Sequence, residues 1–333
     1  MKIGIKQICD ITGFSAATVS NALNKKKGVN QKTSEEVFRV AREIGYLSGL
    51  SISKIKLVIF KKNGLIIDDT PFFSLLINGF EQECRLTGYE MVIGNLDARM
   101  PDYQEQVKQM LNEPETAIVL LGTELSAEDM SLYRGAVCPL LLLDFWSFDM
   151  EFSGVMINNA DSARMAVNYL YSKGHREIGY LKGSFRILGF EQRQSGYYSA
   201  IRENNIKPDP EYVLELSPTM NGAYKDMLHY LDSKQKLPTA YFADNDVIAL
   251  GVMKALQERG YRIPEDISII GFDDLPFCEI SSPRLTSLRV PKQEMGRLAV
   301  RKMIEMMKEE DDVRTKIQVC TDFIERDSVK RIG

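Results

Sequence analysis

The sequence predicts two unlike parts, an N-terminal all-α helix-turn-helix head and a larger α/β core built as two lobes. Three observations predict this. The first fifty of the 333 residues carry apolar positions at helical spacing. From Ile55 onward, short β-branched runs alternate with helical patterns. Those runs number about ten, too many for one doubly wound sheet of about six strands.

In the head, Ile5, Ile8 and Ile11 put apolar side chains on one face of a short first helix, and Gly13-Phe14 break it. Ser15 can cap a second helix whose inward positions are Val19, Ala22 and Leu23. Thr33-Ser34-Glu35-Glu36 reads as a capping box opening a third. Its Val37, Val40, Ala41 and Ile44 repeat as a buried stripe. Two helices joined by a Gly-containing turn and sealed by a third make a helix-turn-helix, a unit that lies on DNA. The second helix presents Ala16, Ala17, Thr18, Ser20, Asn21 and Asn24 outward. These small or polar groups suit a groove.

Charge agrees. Residues 1–56 carry ten Lys/Arg, Lys6 among them, against four acids, a net +6. The whole chain is −4, so residues 57–333 carry −10. A basic head on an acidic body suits contact with phosphate by the head alone. Lys25-Lys26-Lys27 reads either as a solvated loop or as phosphate contacts.

The rest of the composition excludes more than it selects. No apolar run approaches the roughly 20 residues that span a bilayer. The start, MKIGIKQICD, lacks the apolar core of a secretion signal. Five scattered cysteines read as reduced thiols in a cytoplasm. Two histidines, no HExxH, no GxSxG and no Gly-rich phosphate loop leave no pattern for metal, cofactor or hydrolytic chemistry. A non-enzyme is expected.

Candidate core strands are Ile55–Phe60, Met91–Gly94, Ala117–Leu121, Leu140–Leu143, Val155–Ile157, Ile178–Leu181, Ala240–Ala243, Ser268–Phe272, Thr286–Arg289 and Ile317–Cys320. Helical patterns fit between them, as at Ser74–Thr87, Ala160–Lys173 and Lys292–Lys308. The alternation means parallel sheets with helices on both faces, and ligands of such sheets bind beyond the strands' carboxyl ends. The residues there are polar: Asp144, Asn158-Asn159, Asp244-Asn245-Asp246 and Asp273-Asp274, with Arg193 opening a helix. Carboxylates, amides and one Arg can hold the hydroxyls of a sugar or similar molecule. Asn245 and Asp246 read equally as caps of the next helix.

Several segments carry a resemblance to a known family. They are IKQICDITGFSAATVSNALNKKKGVNQKTSEEVFRVAREIGY (Ile5–Tyr46), NNADSARMAVNYLYSKGHREIGYLKG (Asn158–Gly183), PTAYFADNDVIALGVMKAL (Pro238–Leu256), GYRIPEDISIIGFDDLP (Gly260–Pro276), LTSLRVPKQEMGRLAV (Leu285–Val300) and FIERDS (Phe323–Ser328). In this order and spacing the chain resembles the LacI/GalR family of bacterial transcription regulators. The resemblance implies a head over residues 1–47, a linker over 48–54 and a core over 55–333. The core would be two Rossmann-like lobes of periplasmic-binding-protein type. Lobe 1 would take about 55–157 and 286–316, and lobe 2 about 158–285 and 317–333.

It also implies a cytoplasmic homodimer on a near-palindromic operator. Ala16, Ala17 and Asn21 would read bases, while Ser15, Thr18, Ser20, Asn24 and Thr33 would hold phosphates. Phe72 and Phe73 would wall an effector pocket, unless Phe72 is simply core. Asp144, Asn158, Arg193, Asn245 and Asp273 would supply its polar contacts. The effector, a carbohydrate in this reading, would control repression allosterically. The alternatives are a protein co-regulator in place of the small ligand, or a sugar-binding enzyme.

One departure stands out. The family usually follows this position with an Arg-x-Ala-x-x-Leu hinge helix, but Leu47–Lys54 is shorter and rich in Ser and Gly, with poor helix propensity. Leu50 is a candidate to wedge into the minor groove, but an extended linker is the expectation. Leu50→Ala should therefore leave operator bending and most affinity intact in a circularly permuted gel-shift assay; loss of both would show that a leucine wedge operates.

Overall fold

The computed structural model describes residues 4–23, 29–44, 46, 52–68, 70–113, 115–233, 236–308 and 313–333. The head is three helices, α1 (Ile5–Thr12), α2 (Ala16–Leu23) and α3 (Gln31–Glu43). Ile8, Val19, Ala22, Val37, Val40 and Ala41 form its buried core. Gly13 ends α1 in the left-handed region (φ 72°), its N–H on the Cys9 carbonyl, a conformation glycine adopts at least cost. Two expectations fail here. Ile11 is exposed, because it stands one turn beyond Ile8 and off the inward face. α3 starts before Thr33, since Asn30 Oδ1 accepts the Thr33 N–H (2.8 Å) and takes the cap position.

The core opens with a six-stranded parallel sheet, lobe 1. Its strands are β1 (Lys54–Lys61), β2 (Glu90–Asp97), β3 (Thr116–Leu121), β4 (Leu140–Leu143), β5 (Ser153–Ile157) and β11 (Lys316–Val319). Their order is β11-β5-β4-β3-β1-β2. Every residue of β3 and β4 is buried, as expected of central parallel strands covered on both faces. Helices α4 (Phe72–Thr87), α5 (Tyr103–Leu111) and α11 (Lys292–Lys308) flank the sheet.

Lobe 2 is a four-stranded parallel sheet, β7-β6-β8-β9, from β6 (Ile178–Gly183), β7 (Val213–Leu216), β8 (Ala240–Ala243) and β9 (Ser268–Ile270). Around it lie α6 (Asn159–Ser172), α7 (Leu188–Glu203), α8 (Met220–Asp232), α9 (Asp246–Glu258) and the short α10 (Phe277–Ile280). A two-stranded antiparallel pair, β10 (Ser287–Arg289) with β12 (Asp322–Ile324), completes the core.

The chain crosses between lobes three times, and two crossings differ from expectation. Thr286 and Arg289 bridge in parallel to Ile270 and Asp273 of lobe 2, so that crossing comes after β10 instead of at 286. Residues 316–319 pair with β5 and therefore belong to lobe 1. Only then does the chain return. The Ser328 carbonyl accepts the Ile269 N–H (2.9 Å) while Ser328 Oγ donates to the Ile269 carbonyl (2.6 Å), and the Ile332 N–H donates to the Lys173 carbonyl of lobe 2. His175 ties the same tail down, with Nδ1 2.9 Å from Thr239 Oγ1 and Nε2 3.2 Å from the Lys330 carbonyl. Its role is structural.

Helices α4 and α11 cross at two glycines. A Cβ at Gly79 would stand 2.0 Å from the Gln293 carbonyl oxygen, and one at Gly296 would stand 2.2 Å from that of Leu76. Both obstacles are backbone, so no rotamer change relieves them. Gly296→Ala is expected to cost about 1–3 kcal/mol, seen as a lower melting temperature by calorimetry. An unchanged value would mean the helices have room to part.

Candidate functional site

The candidate DNA contacts described in the head are all at least partly accessible. Lys6, Ser15, Ala16 and Ala17 are exposed, and Thr18, Ser20, Asn21 and Thr33 are half-buried. Ser15 Oγ accepts the Thr18 N–H (3.1 Å) and caps α2. That bond fixes the helix end whose first backbone N–H groups point outward, where an anion is favoured. Asn24, Lys25–Lys27 and Leu50 lie outside the described residues.

The second site is the cleft where strand ends of both lobes meet. From lobe 1 comes Asp144, at the end of β4 with φ 58°. Its Oδ2 accepts from Thr123 Oγ1 (2.7 Å). Phe72 and Phe73 open α4 with both rings buried, 5.1 Å apart and edge to face. From lobe 2 come Arg193 on α7 and Asp273 just after β9. Lys292, first residue of α11, links the two walls. Its Nζ donates to the Asp273 carbonyl and lies 5.4 Å from the Phe72 ring centre.

Arg193 is the buried centre of this cleft. Nε donates to Asn159 Oδ1 (2.9 Å), Nη1 donates to the Asp244 carbonyl, and Nη2 stands 3.6 Å from Asp273 Oδ1. The guanidinium lies 3.6 Å from the Phe272 ring centre, a favourable seat for a desolvated cation. All three nitrogens are thus turned to the protein. Asp273 Oδ1 is buried and lacks a hydrogen-bond partner among the described residues. Such an acceptor is costly to leave unsatisfied. The cleft therefore offers carboxylate oxygens more readily than free donors.

Four Asp carboxylates sit at these strand ends. Asp244 is satisfied by Tyr180 Oη, the Gly183 N–H (2.8 Å) and Arg186 Nη1 (2.5 Å). Asp246 accepts from Ser287 Oγ (2.6 Å) and the Leu275 N–H (2.8 Å), holding the turn after β9. Burial pushes Asp246 up to about 7, with Asp273 adding to the rise. Burial also raises Asp273, against the pull of Arg193 and Lys292. Asp144 is raised to about 6, first by burial, with Thr123 and Arg193 opposing and Asp273 adding.

The structure brings together Phe72, Phe73, Asp144, Arg193 and Asp273. It does not bring Asn158 and Asn245 with them in the same way. Asn158 turns its amide to Asp161 (3.0 Å) at the start of α6, and the next residue, Asn159, holds Arg193 instead. Asn245 Oδ1 accepts the Ile248 N–H (3.0 Å), so the capping reading applies to that oxygen. Arg186 and Lys292 were not singled out in the sequence. Each follows a strand end closely, which was the available signal.

Residues 4–48 match the family described as bacterial regulatory proteins, lacI family, and residues 167–329 match the periplasmic binding protein-like domain. The chain thus carries a lacI-type helix-turn-helix domain followed by a periplasmic-binding-protein-like domain. The HTH-type transcriptional repressor PurR of Vibrio vulnificus (strain CMCP6) is 28% identical over 332 residues, 99% of each chain. A transcriptional regulator CelR–cellobiose complex superposes with a TM-score of 0.74 at 23% identity, over 98% of this chain and 99% of that one. The lac repressor dimer bound to operator and the anti-inducer ONPF gives 0.74 at 20% identity, over 87% and 98%. The fold of this chain is thus a helix-turn-helix head on a two-lobed binding-protein-like core. No helix among the described residues is long and apolar enough to cross a membrane.

Asp144 gives the cleft a measurable signature. Its folded pKa of about 6 lies above the ordinary 3.8, so its favourable contribution is complete below pH ~4 and is lost as pH rises through 6. Asp144→Asn is expected to stabilise the protein by about 1–3 kcal/mol at pH 8 and by much less at pH 4.5. Calorimetry at the two pH values measures this, and an equal difference at both would remove Asp144 from the buried cleft.

Proposed function

We propose that this protein is an operator-binding repressor whose DNA affinity is set by a neutral, hydroxyl-bearing small molecule held between the lobes. The observation that carries the reading is the acceptor pair, half-buried Asp144 of lobe 1 and buried Asp273 of lobe 2, beside Phe72. A ligand hydroxyl can donate to each, and the flat face of a sugar ring can pack on the aromatic wall. The cellobiose held by the CelR relative and the repressor name of the PurR relatives support the same class of function.

In this reading Ala16, Ala17 and Asn21 meet base edges, and Lys6, Ser15, Thr18, Ser20 and Thr33 hold the backbone. Asn24 and Leu50 remain candidates from sequence. Two copies bind together, one head per half-site. The surface that supports pairing is apolar yet exposed: Leu86 of α4 (78%), Ile93 on the sheet-edge strand β2, and Ile280 of α10 (79%). Single exposed apolar residues are ordinary, but Leu86 and Ile93 stand on touching elements, α4 and β2, and with Ile280 on lobe 2 they offer each lobe an apolar contact for a second copy.

Fluorescence anisotropy with the protein's own promoter DNA tests the reading. Log affinity should fall linearly with log salt, and Lys6→Ala should flatten the slope by about 1 per head. Ile280→Asp should give a monomer by sedimentation, with weakened operator binding. A panel of neutral sugars and nucleobases, scored by thermal shift with and without DNA, identifies the ligand. Salt-insensitive, unselective DNA binding would overturn the regulator reading; a response to none of the small molecules would favour a protein co-regulator.

A further inference from the structure

Two apolar side chains cross between the lobes in opposite directions. Ile66, in the turn after β1 of lobe 1, is buried with Ile187 and Phe190 of lobe 2, and Phe185 packs against them. Leu188, the first residue of α7 in lobe 2, is buried in the lobe-1 cluster that contains Leu142, Phe145 and Met156. Each lobe thus lends a side chain to the other.

Neither donor is a loose loop. The turn carrying Ile66 is moulded on one carboxylate, Glu124, which is 1% exposed. Glu124 Oε2 accepts the backbone N–H groups of Lys62 (2.8 Å), Asn63 (3.0 Å) and Gly64 (2.9 Å). Its Oε1 accepts those of Ile66 (2.9 Å) and Ile67 (3.2 Å). Five amide donors satisfy a buried carboxylate that would otherwise be costly. Gly64 makes the bend at φ 78°. On the facing side, Arg186 bonds Asp244, the Gly183 carbonyl and Gln194, fixing the segment that leads into Ile187 and Leu188.

We propose that Ile66 and Leu188 form a reciprocal latch that holds the lobes shut without any ligand, with Glu124 as its positioning residue. The effector then acts on an equilibrium already biased toward closure. Phe190 joins the two events, since its ring packs with Ile66 and lies 5.5 Å from the Arg193 guanidinium at the cleft centre. This deepens the cleft control proposed above, yet its test needs neither DNA nor effector, so the two can fail separately.

The chain supplies its own reporter. Its one tryptophan, Trp146, packs on the lobe-1 cluster that receives Leu188. Acrylamide quenching of Trp146 and small-angle X-ray scattering are measured on full-length, ligand-free protein. Ile66→Ser, Leu188→Ala and Glu124→Gln should each raise quenching and expand the particle, with far-UV dichroism unchanged. Ile66→Leu should behave as wild type. Removing the three outer carbons of Ile66 is expected to shift the closed-to-open ratio about tenfold or more, each buried carbon counting for about a factor of four. Folded Ile66→Ser with wild-type quenching and dimensions would overturn the latch. Should Leu188→Ala fail to fold, Ile66→Ser at the loop tip decides the question alone.

Discussion

The buried guanidinium of Arg193 is the interaction around which the cleft is organised. It joins the first inter-lobe crossing through Asn159, the end of β8 through the Asp244 carbonyl, and the end of β9 through Asp273. A cation this deep persists only with close partners, and each partner stands at a place where the chain changes course. Arg193 thereby fixes where three strand ends stop. The carboxylates around it keep raised pKa values because burial outweighs the attraction it supplies. The result is a site assembled under electrostatic tension, with acceptors in excess.

Backbone strain sits in the same place. Of the five non-glycine residues with positive φ among the described residues, three are Asp144, Asp273 and Asp274. Such conformations cost on the order of 1–3 kcal/mol each and survive only where surroundings over-determine them. Around Asp273 and Asp274 the restraints are plain. Lys292 takes the Asp273 carbonyl, Ser287 Oγ takes the Asp274 N–H (3.1 Å), and Arg326 and Arg289 hold the Asp274 carboxylate (2.7 Å each). Arg326 also reaches Glu279 of α10 (2.8 Å). The turn that carries the proposed effector contact Asp273 is therefore bonded to the element that exposes Ile280.

The parts legible in the sequence were those with a period or a terminal residue to mark them. The stripe Val37, Val40, Ala41, Ile44 and the all-apolar runs at 117–121 and 140–143 announce their elements whatever surrounds them. β7 and α8 went unassigned because Val213–Leu216 is a short edge strand with Glu215 outward, and α8 buries only Ala223 and Met227. Within the site, Asp144, Arg193 and Asp273 were legible as polar residues at strand ends. The choice of Asn159 over Asn158 was not, since it depends on one step of helix rotation at the start of α6. Glu124 was hidden for a different reason. Its five partners are backbone amides 57 to 62 residues away, and amides leave no residue-type signature.

Closure of such a core is governed by where the differential contacts lie. Three crossings of the chain join the lobes, each of them a single segment. A ligand shifts closure only through contacts it makes in one state and not in the other. A molecule bonded to Asp144 alone would bind both states equally and regulate nothing. In the function proposed here, bridging Asp144 of lobe 1 and Asp273 of lobe 2 would give an effector its leverage, because the two acceptors share a ligand only when the lobes are together. In the latch proposed above, Ile66 and Leu188 act on the same coordinate. Under these two proposals affinity and response would be separable quantities, the first set by the strand-end carboxylates and the second by how much closure the apolar exchange has already secured.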